Sequence, residues 1–168
     1  MIKKAILILI VSIISSCSVK YSFSGASISP EVKTVSIAYF NNMAAMVAPI
    51  LSPTLTDELT QKISRETGLQ IVSSEEPADI SFEGEIIGYN SAPTAISGDE
   101  YATQNRLTIT VRVRFKNIKQ PNYSFNKTFS AYADYDTSQM LISIEGQLIP
   151  EVVKDLVENI FNEALSNW

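Results

Sequence analysis

The 168-residue chain carries 13 basic and 18 acidic residues, a formal net charge of −5, with no histidine and a single cysteine. An acidic balance argues against a nucleic-acid partner, because gripping a phosphate backbone needs a basic footprint. The missing histidine and lone cysteine exclude Ser-His-Asp and Cys-His nucleophilic systems, thiolate zinc sites and a disulfide framework, and the scattered glycines form no phosphate-cradling loop, so no cofactor or metal is implied.

Residues 1–16 read as a signal peptide. Lys3 and Lys4 precede an apolar run from Ala5 to Val11, and the stretch closes Ile14-Ser15-Ser16-Cys17. The run is well short of the roughly 20 residues of a membrane span, and its flanks have the basic-then-small order that a signal peptidase reads. The close on Cys17 resembles the bacterial lipobox, which implies a lipidated Cys17 as first residue of the mature chain and a membrane attachment through that lipid anchor. Loss of Lys3 and Lys4 would leave 11 basic residues against 18 acidic, a net charge of about −7. Ser18 is not the Asp that resembles an inner-membrane retention signal, and Val19-Lys20-Tyr21 lacks an acidic surface-export cluster. The expected address is the periplasmic face of the outer membrane.

Residues 17–30 form an extended, Ser-rich lead-in with Tyr21 and Phe23, and residues 31–168 suit one domain. Val32 to Phe40 reads as a first strand, with Val35, Ile37 and Tyr39 on one face. Asn41 to Ser52 follows without a charge. Its Met43, Met46, Val47 and Ile50 suit either a surface that meets another protein or a segment folded onto the core. Ser52-Pro53 predicts a helix start, Ser as cap and Pro in the first turn, with Asp57 and Glu58 near its positive end. Leu51, Leu55, Leu59 and Ile63 make its core stripe, and Gly68 its left-handed stop.

After a short apolar piece, Leu69 to Val72, Ile80 to Tyr89 alternates, with Ile80, Phe82, Gly84 and Ile86 on one face. Asn90 to Asn105, with Pro93, Gly98 and Asp99, reads as a long loop, and long ordered loops are often functional. Leu107 to Phe115 is the clearest strand, Leu107, Ile109, Val111, Val113 and Phe115 facing in and Arg112, Arg114 and Lys116 facing out. A turn at Gln120-Pro121-Asn122 leads to a strand from Tyr123 to Tyr132, with Tyr123, Phe125 and Phe129 inward. Asp134 to Gly146 reads as irregular or partly helical. Pro150 is expected in the first turn of a last helix whose core stripe is Val153, Leu156, Val157, Ile160, Phe161 and Ala164. The order β-α-β-β-β-α predicts an α+β two-layer sandwich: a mostly antiparallel four-stranded sheet with two helices packed on one face.

Arg112, Arg114 and Lys116 are candidates for contact with anionic phosphates. The competing reading pairs Arg112 with Glu83 across an antiparallel neighbour and leaves Arg114 and Lys116 beside Ser81. The carboxylate pairs Glu75/Glu76, Glu83/Glu85, Asp99/Glu100 and Asp134/Asp136 sit in no chemistry-bearing motif, so an enzyme is not expected, and a carboxylate-dependent periplasmic hydrolase is the alternative of a different class.

Taken together, Cys17 with Tyr21-Ser22-Phe23-Ser24-Gly25, Val35-Ser36-Ile37-Ala38-Tyr39-Phe40-Asn41-Asn42, Ala78-Asp79-Ile80 into Glu83-Gly84-Glu85-Ile86, Leu107 to Val111 with Phe115-Lys116-Asn117, and Ile160-Phe161-Asn162 with Trp168 resemble the LptE-type LPS-assembly lipoproteins. The strand-then-helix half also looks like curli-type secretion-channel subunits and penicillin-binding-protein activators. The LptE resemblance implies an outer-membrane lipoprotein that plugs and helps assemble the LptD-type barrel and contacts lipopolysaccharide, without covalent chemistry. On that reading Met43, Met46, Val47, Ile50 and the loop around Gly98 are the candidate barrel contacts, and Arg112, Arg114 and Lys116 the candidate lipopolysaccharide contacts.

Overall fold

The computed structural model describes residues 28–94 and 104–166. Cys17, most of the lead-in, Gly98 and Trp168 lie outside the described residues. The strands are β1 (Thr34–Ile37), β2 (Asn41–Asn42), β3 (Gln70–Val72), β4 (Ile80–Pro93), β5 (Gln104–Asn117) and β6 (Phe125–Asp136), and the helices α1 (Leu51–Glu66) and α2 (Leu141–Leu165). The sheet order is β3-β1-β4-β5-β6, with β2 also on β4. Helix α1 packs on α2, which lies against β5 and β6.

The α+β class and paired helices agree with the expectation, but the sheet has six strands and is mixed rather than four-stranded and mostly antiparallel. β1 runs parallel to both β3 and β4, and β2 runs parallel to β4. The cause is the helix: α1 carries the chain back to the level where β1 began, so the next strand starts in the same direction. Only β4, β5 and β6 form the antiparallel meander.

Helix α1 buries Leu51, Leu55, Leu59 and Ile63 completely, as their four-residue spacing predicts. Its ends differ from the expected ones. It starts at Leu51 with Ser52 buried and making no cap, and Asp57 and Glu58 lie beyond the first turn. It stops at Thr67, in extended backbone (φ −128°, ψ 159°), whose N–H and hydroxyl both donate to the Ile63 carbonyl at 3.0 and 2.7 Å. A hydroxyl and an extended residue end the helix, so Gly68 needs no left-handed turn.

Two local features reset the inward face. The register of β4 against β5 shifts between Ile86 and Gly88, leaving Ile87 as a bulge. Ile80, Phe82 and Ile86 are buried before it, and Tyr89 is buried after it. β1 ends at Ile37, short of the expected Phe40, so Tyr39 is exposed while Phe40 is fully buried. The Phe40 ring lies over Gly84, where an added Cβ would be 2.5 Å from Phe40 Cε1 and 2.4 Å from the Arg112 carbonyl oxygen. Only glycine fits under that ring.

The five expected inward residues of β5 are all buried. On β6 the buried side chains are Ala131, Ala133 and Tyr135; Phe125 and Phe129 are half-buried, and Tyr123, expected inward, is exposed in a 3-10 turn (Pro121–Tyr123). β6 runs on to Asp136, through residues read as irregular, and the strands flanking the expected loop extend to Pro93 and from Gln104. Helix α2 begins nine residues before Pro150, which therefore sits mid-helix at the loss of one backbone hydrogen bond to Gly146 rather than in a first turn. Its expected stripe is buried throughout, with Leu148, Ile149 and Val152 added.

Candidate functional site

The two helices run side by side in the same direction. Lys62 Nζ on α1 donates to Glu158 of α2 at 2.6 Å and lies 5.1 Å from the centre of the Phe161 ring. Counting back from that contact, the start of α1 is level with Gln147, six residues into α2, so nearly two turns of α2 project beyond α1. The chain from Met43 to Ile50 enters α1 at this same end.

There the usual burial rule is inverted. Ala44 and Ala48 are buried, while Met43 is 67% exposed, Met46 51%, Val47 64% and Ile50 41%. The segment is fixed at its entry, because Met43 N–H donates to the Ile86 carbonyl at 2.8 Å and the Asn42 side-chain oxygen accepts from Ala44 N–H at 3.0 Å. Small residues anchor it and large apolar ones face outward. At the start of α2, Met140 and Ile142 are 73% and 79% exposed. These two were missed because Asp134 to Gly146 offers no periodicity before Gly146. The projecting turns are held by the Tyr89 hydroxyl, which donates to Glu145 at 2.6 Å, and beneath them a 2.6 Å contact between Ser91 Oγ and the Tyr135 hydroxyl links β4 to β6. Burial, reinforced by Glu145, pushes the Tyr89 phenol well up, so it stays a donor.

The cation stripe lies on the opposite, helix-free face of the sheet. Register places Glu85 opposite Arg112, Glu83 opposite Arg114 and Ser81 opposite Lys116. The expected pairing was two residues out: Arg112 meets Glu85 at 2.5 Å, and Arg114 meets Glu83 at 3.5 Å rather than Ser81. Both pairs line a shallow depression of about 250 Å³ with Gly84 and Asn126. Among the described residues Lys116 makes no ion pair. A bound phosphate would therefore find Lys116 free and compete with a carboxylate for either arginine; such exposed pairs are worth only about 0–1 kcal/mol. Arg106, not singled out from the sequence, belongs to the same face: it grips Asp134 through two nitrogens at 2.7 and 2.9 Å and stacks 3.7 Å from the Tyr132 ring centre. Its even-numbered position in the outward series was the available signal.

The family model described as "LptE: Lipopolysaccharide-assembly" matches residues 32–164. The chain belongs to the LptE family. A minor lipoprotein from Acinetobacter baumannii is 19% identical, with a TM-score of 0.49, over 79% of this chain and 91% of that one. A hypothetical protein from Chlamydia trachomatis (12% identity, TM-score 0.52, 81% and 99% coverage) and a protein from Xanthomonas campestris (9%, 0.51, 82% and 91%) share the fold. No curated protein matches the chain.

For this LptE-family chain, Ala78-Asp79-Ile80 has a clear structural task. Asp79 Oδ2 accepts from the N–H groups of Lys33 (2.7 Å) and Thr34 (3.1 Å), its N–H donates to Thr34 Oγ1 (2.9 Å), and Oδ1 is 3.2 Å from Lys119 Nζ. The Lys33 N–H bond above all holds the carboxyl down at about 2. Hydrogen bonds likewise lower Asp134 (from Arg106), Asp136 (from Ser138) and Glu158 (from Lys62), the direction opposite to what a general acid needs. Among the described residues no carboxylate cluster could hold a metal, and no helix is long and apolar enough to cross a membrane.

Proposed function

We propose that this LptE-family protein is an outer-membrane lipoprotein, acylated at Cys17 and facing the periplasm, that plugs and helps assemble the LptD-type barrel and assists lipopolysaccharide on its way to the outer leaflet. The observation that carries the reading is the uncharged end where Met43, Met46, Val47 and Ile50 face outward over buried alanines. Exposed apolar side chains on a tethered segment are what a protein contact needs and what a free surface avoids. Met140 and Ile142 enlarge the proposed contact. Gly98 is a proposed contact on the sequence reading alone.

Lipopolysaccharide contact is proposed for Lys116 first, then Arg114 and Arg112, because two of the three cations already hold carboxylates. Those carboxylates serve as ion-pair partners, which favours the assembly role over a hydrolase.

Detergent extraction of the native protein tests the reading. A large barrel should co-purify in a stable, stoichiometric complex, since a wedged plug buries far more surface than a passing contact. Met46→Asp should weaken the complex while circular dichroism of the isolated domain stays unchanged. A ring of identical copies would favour the secretion-channel alternative; a monomer that loses a hydrolytic activity with Glu83→Gln and Glu85→Gln would favour the enzyme.

A further inference from the structure

At the end of the sheet opposite the apolar segment, the β5–β6 turn presents Ile118 (50% exposed) and Tyr123 (42%) beside the exposed cations Lys116 and Lys119. This turn is rigid. The side-chain oxygen of buried Asn117 accepts from the N–H groups of Lys119 (3.0 Å) and Gln120 (2.8 Å), and Ser124 Oγ accepts from the Asn117 N–H at 2.9 Å. A turn held this firmly does not expose an isoleucine and a tyrosine for want of a way to fold them in.

The same end is where the described chain begins. Ile118 N–H donates to the Asp79 carbonyl at 2.9 Å, and the Asp79 carboxylate holds Lys33 and Thr34, so the turn and the entry of the chain are tied to one residue. Ten residues lie between Cys17 and Ile28, a reach of at most about 40 Å. Met43 bonds Ile86, six residues along β4 from Ile80, which places the apolar segment roughly 20 Å further on. With the anchor at Cys17, the β5–β6 turn is the exposed apolar surface beside the point where the tether enters the domain.

We propose that the β5–β6 turn is a membrane seat, in which Ile118 and Tyr123 enter the headgroup region of an anionic phospholipid surface and Lys116 and Lys119 lie against its phosphates. The inference rests on the anchoring of Cys17. Amphipathic side chains such as Tyr belong at the interface between water and lipid, and Lys stems reach across it. Of the nearby carboxylates, Asp79 is turned onto backbone N–H groups and Lys119, while Glu31, Glu75 and Glu76 lie on the chain entry and the β3–β4 connection and not on the turn itself. Seated this way, the domain holds Met43, Met46, Val47 and Ile50 away from the bilayer, so the seat belongs to the chain before it meets its barrel.

The test uses the chain from Ser18 onward with a hexahistidine sequence in place of Cys17, held on vesicles by a nickel-chelating lipid. An environment-sensitive fluorophore is attached to Ile118→Cys or, separately, Met46→Cys. On vesicles containing phosphatidylglycerol the Ile118→Cys label should shift to the blue and be quenched by spin-labelled lipid, while on phosphatidylcholine alone it should stay close to its emission in water. Lys116→Gln should reduce the seated fraction about fivefold. Emission as in water on both vesicles, an equal shift on both, or a shift at Met46→Cys instead would overturn the proposal. Because the tether is a chelated tag, acylation of native Cys17 is judged separately, by the intact mass of the membrane-extracted protein.

Discussion

Replacing Asp79 by Ala strips two backbone N–H groups of their acceptor at the start of β1, and a third contact from Lys119. A hydrogen bond to a charged acceptor contributes about 1.5–3 kcal/mol, and water can reach this site in part, so the two together should be worth about 2–3 kcal/mol. The Lys119 pair, with the lysine side chain 41% exposed, adds at most about 1 kcal/mol. Urea unfolding of the Cys17→Ser chain should therefore lose about 2–4 kcal/mol with an unchanged slope, and Asp79→Asn, which keeps one acceptor oxygen, roughly half of that. The same knot predicts a pH dependence. Asp79 sits at about 2 in the fold against 3.8 as its ordinary value. Its contribution is present above pH 4 and is lost as pH falls through about 2, a change on the order of 1 kcal/mol once screening by water is allowed for. Asp79→Asn should flatten that part of the acid limb. A loss below about 0.5 kcal/mol for Asp79→Ala, or an acid limb that Asn leaves untouched, would refute the reasoning.

Gly84→Ala should destabilise the fold by about 1–3 kcal/mol, measured by thermal unfolding, because the new methyl meets both Phe40 and the Arg112 carbonyl; a neutral result would mean that Phe40 does not lie there. In a lipopolysaccharide pull-down, Lys116→Glu should lower binding more than Arg112→Glu, since Arg112 is already held by Glu85. Glu83→Gln with Glu85→Gln should raise it by freeing both arginines, with thermal stability altered by no more than about 1 kcal/mol per pair. Equal binding by all these variants would place the contact elsewhere.

The parts legible in the sequence were those whose periodicity ran unbroken. Leu107 to Phe115 alternates without interruption and Leu51 to Ile63 repeats every fourth residue, so both faces were read correctly. Where one residue resets the pattern, the reading slipped. The bulge at Ile87 and the break after Ile37 each invert the inward face, and nothing in a single sequence marks the extra residue. β3 has three residues and lies at the sheet edge, too short to show alternation, so the parallel half of the sheet was missed. Pro150 was read as a helix start because proline favours first turns, although here packing of Leu148, Ile149 and Val152 outweighs the lost hydrogen bond. The cations were placed on the correct face, but their carboxylate partners depended on a register that only pairing along the whole of β4 and β5 determines.

The central claim is that the uncharged end meets a barrel, and site-specific photo-crosslinking in cells tests it most directly. A photoreactive side chain in place of Met46, which is 51% exposed, should give one adduct with a large β-barrel outer-membrane protein. The same group in place of Glu76, an exposed residue on the β3–β4 connection, serves as the comparison and should give a weaker adduct or none. A barrel adduct at Glu76 and not at Met46, or none at Met46 in a protein shown to be anchored, would contradict the account.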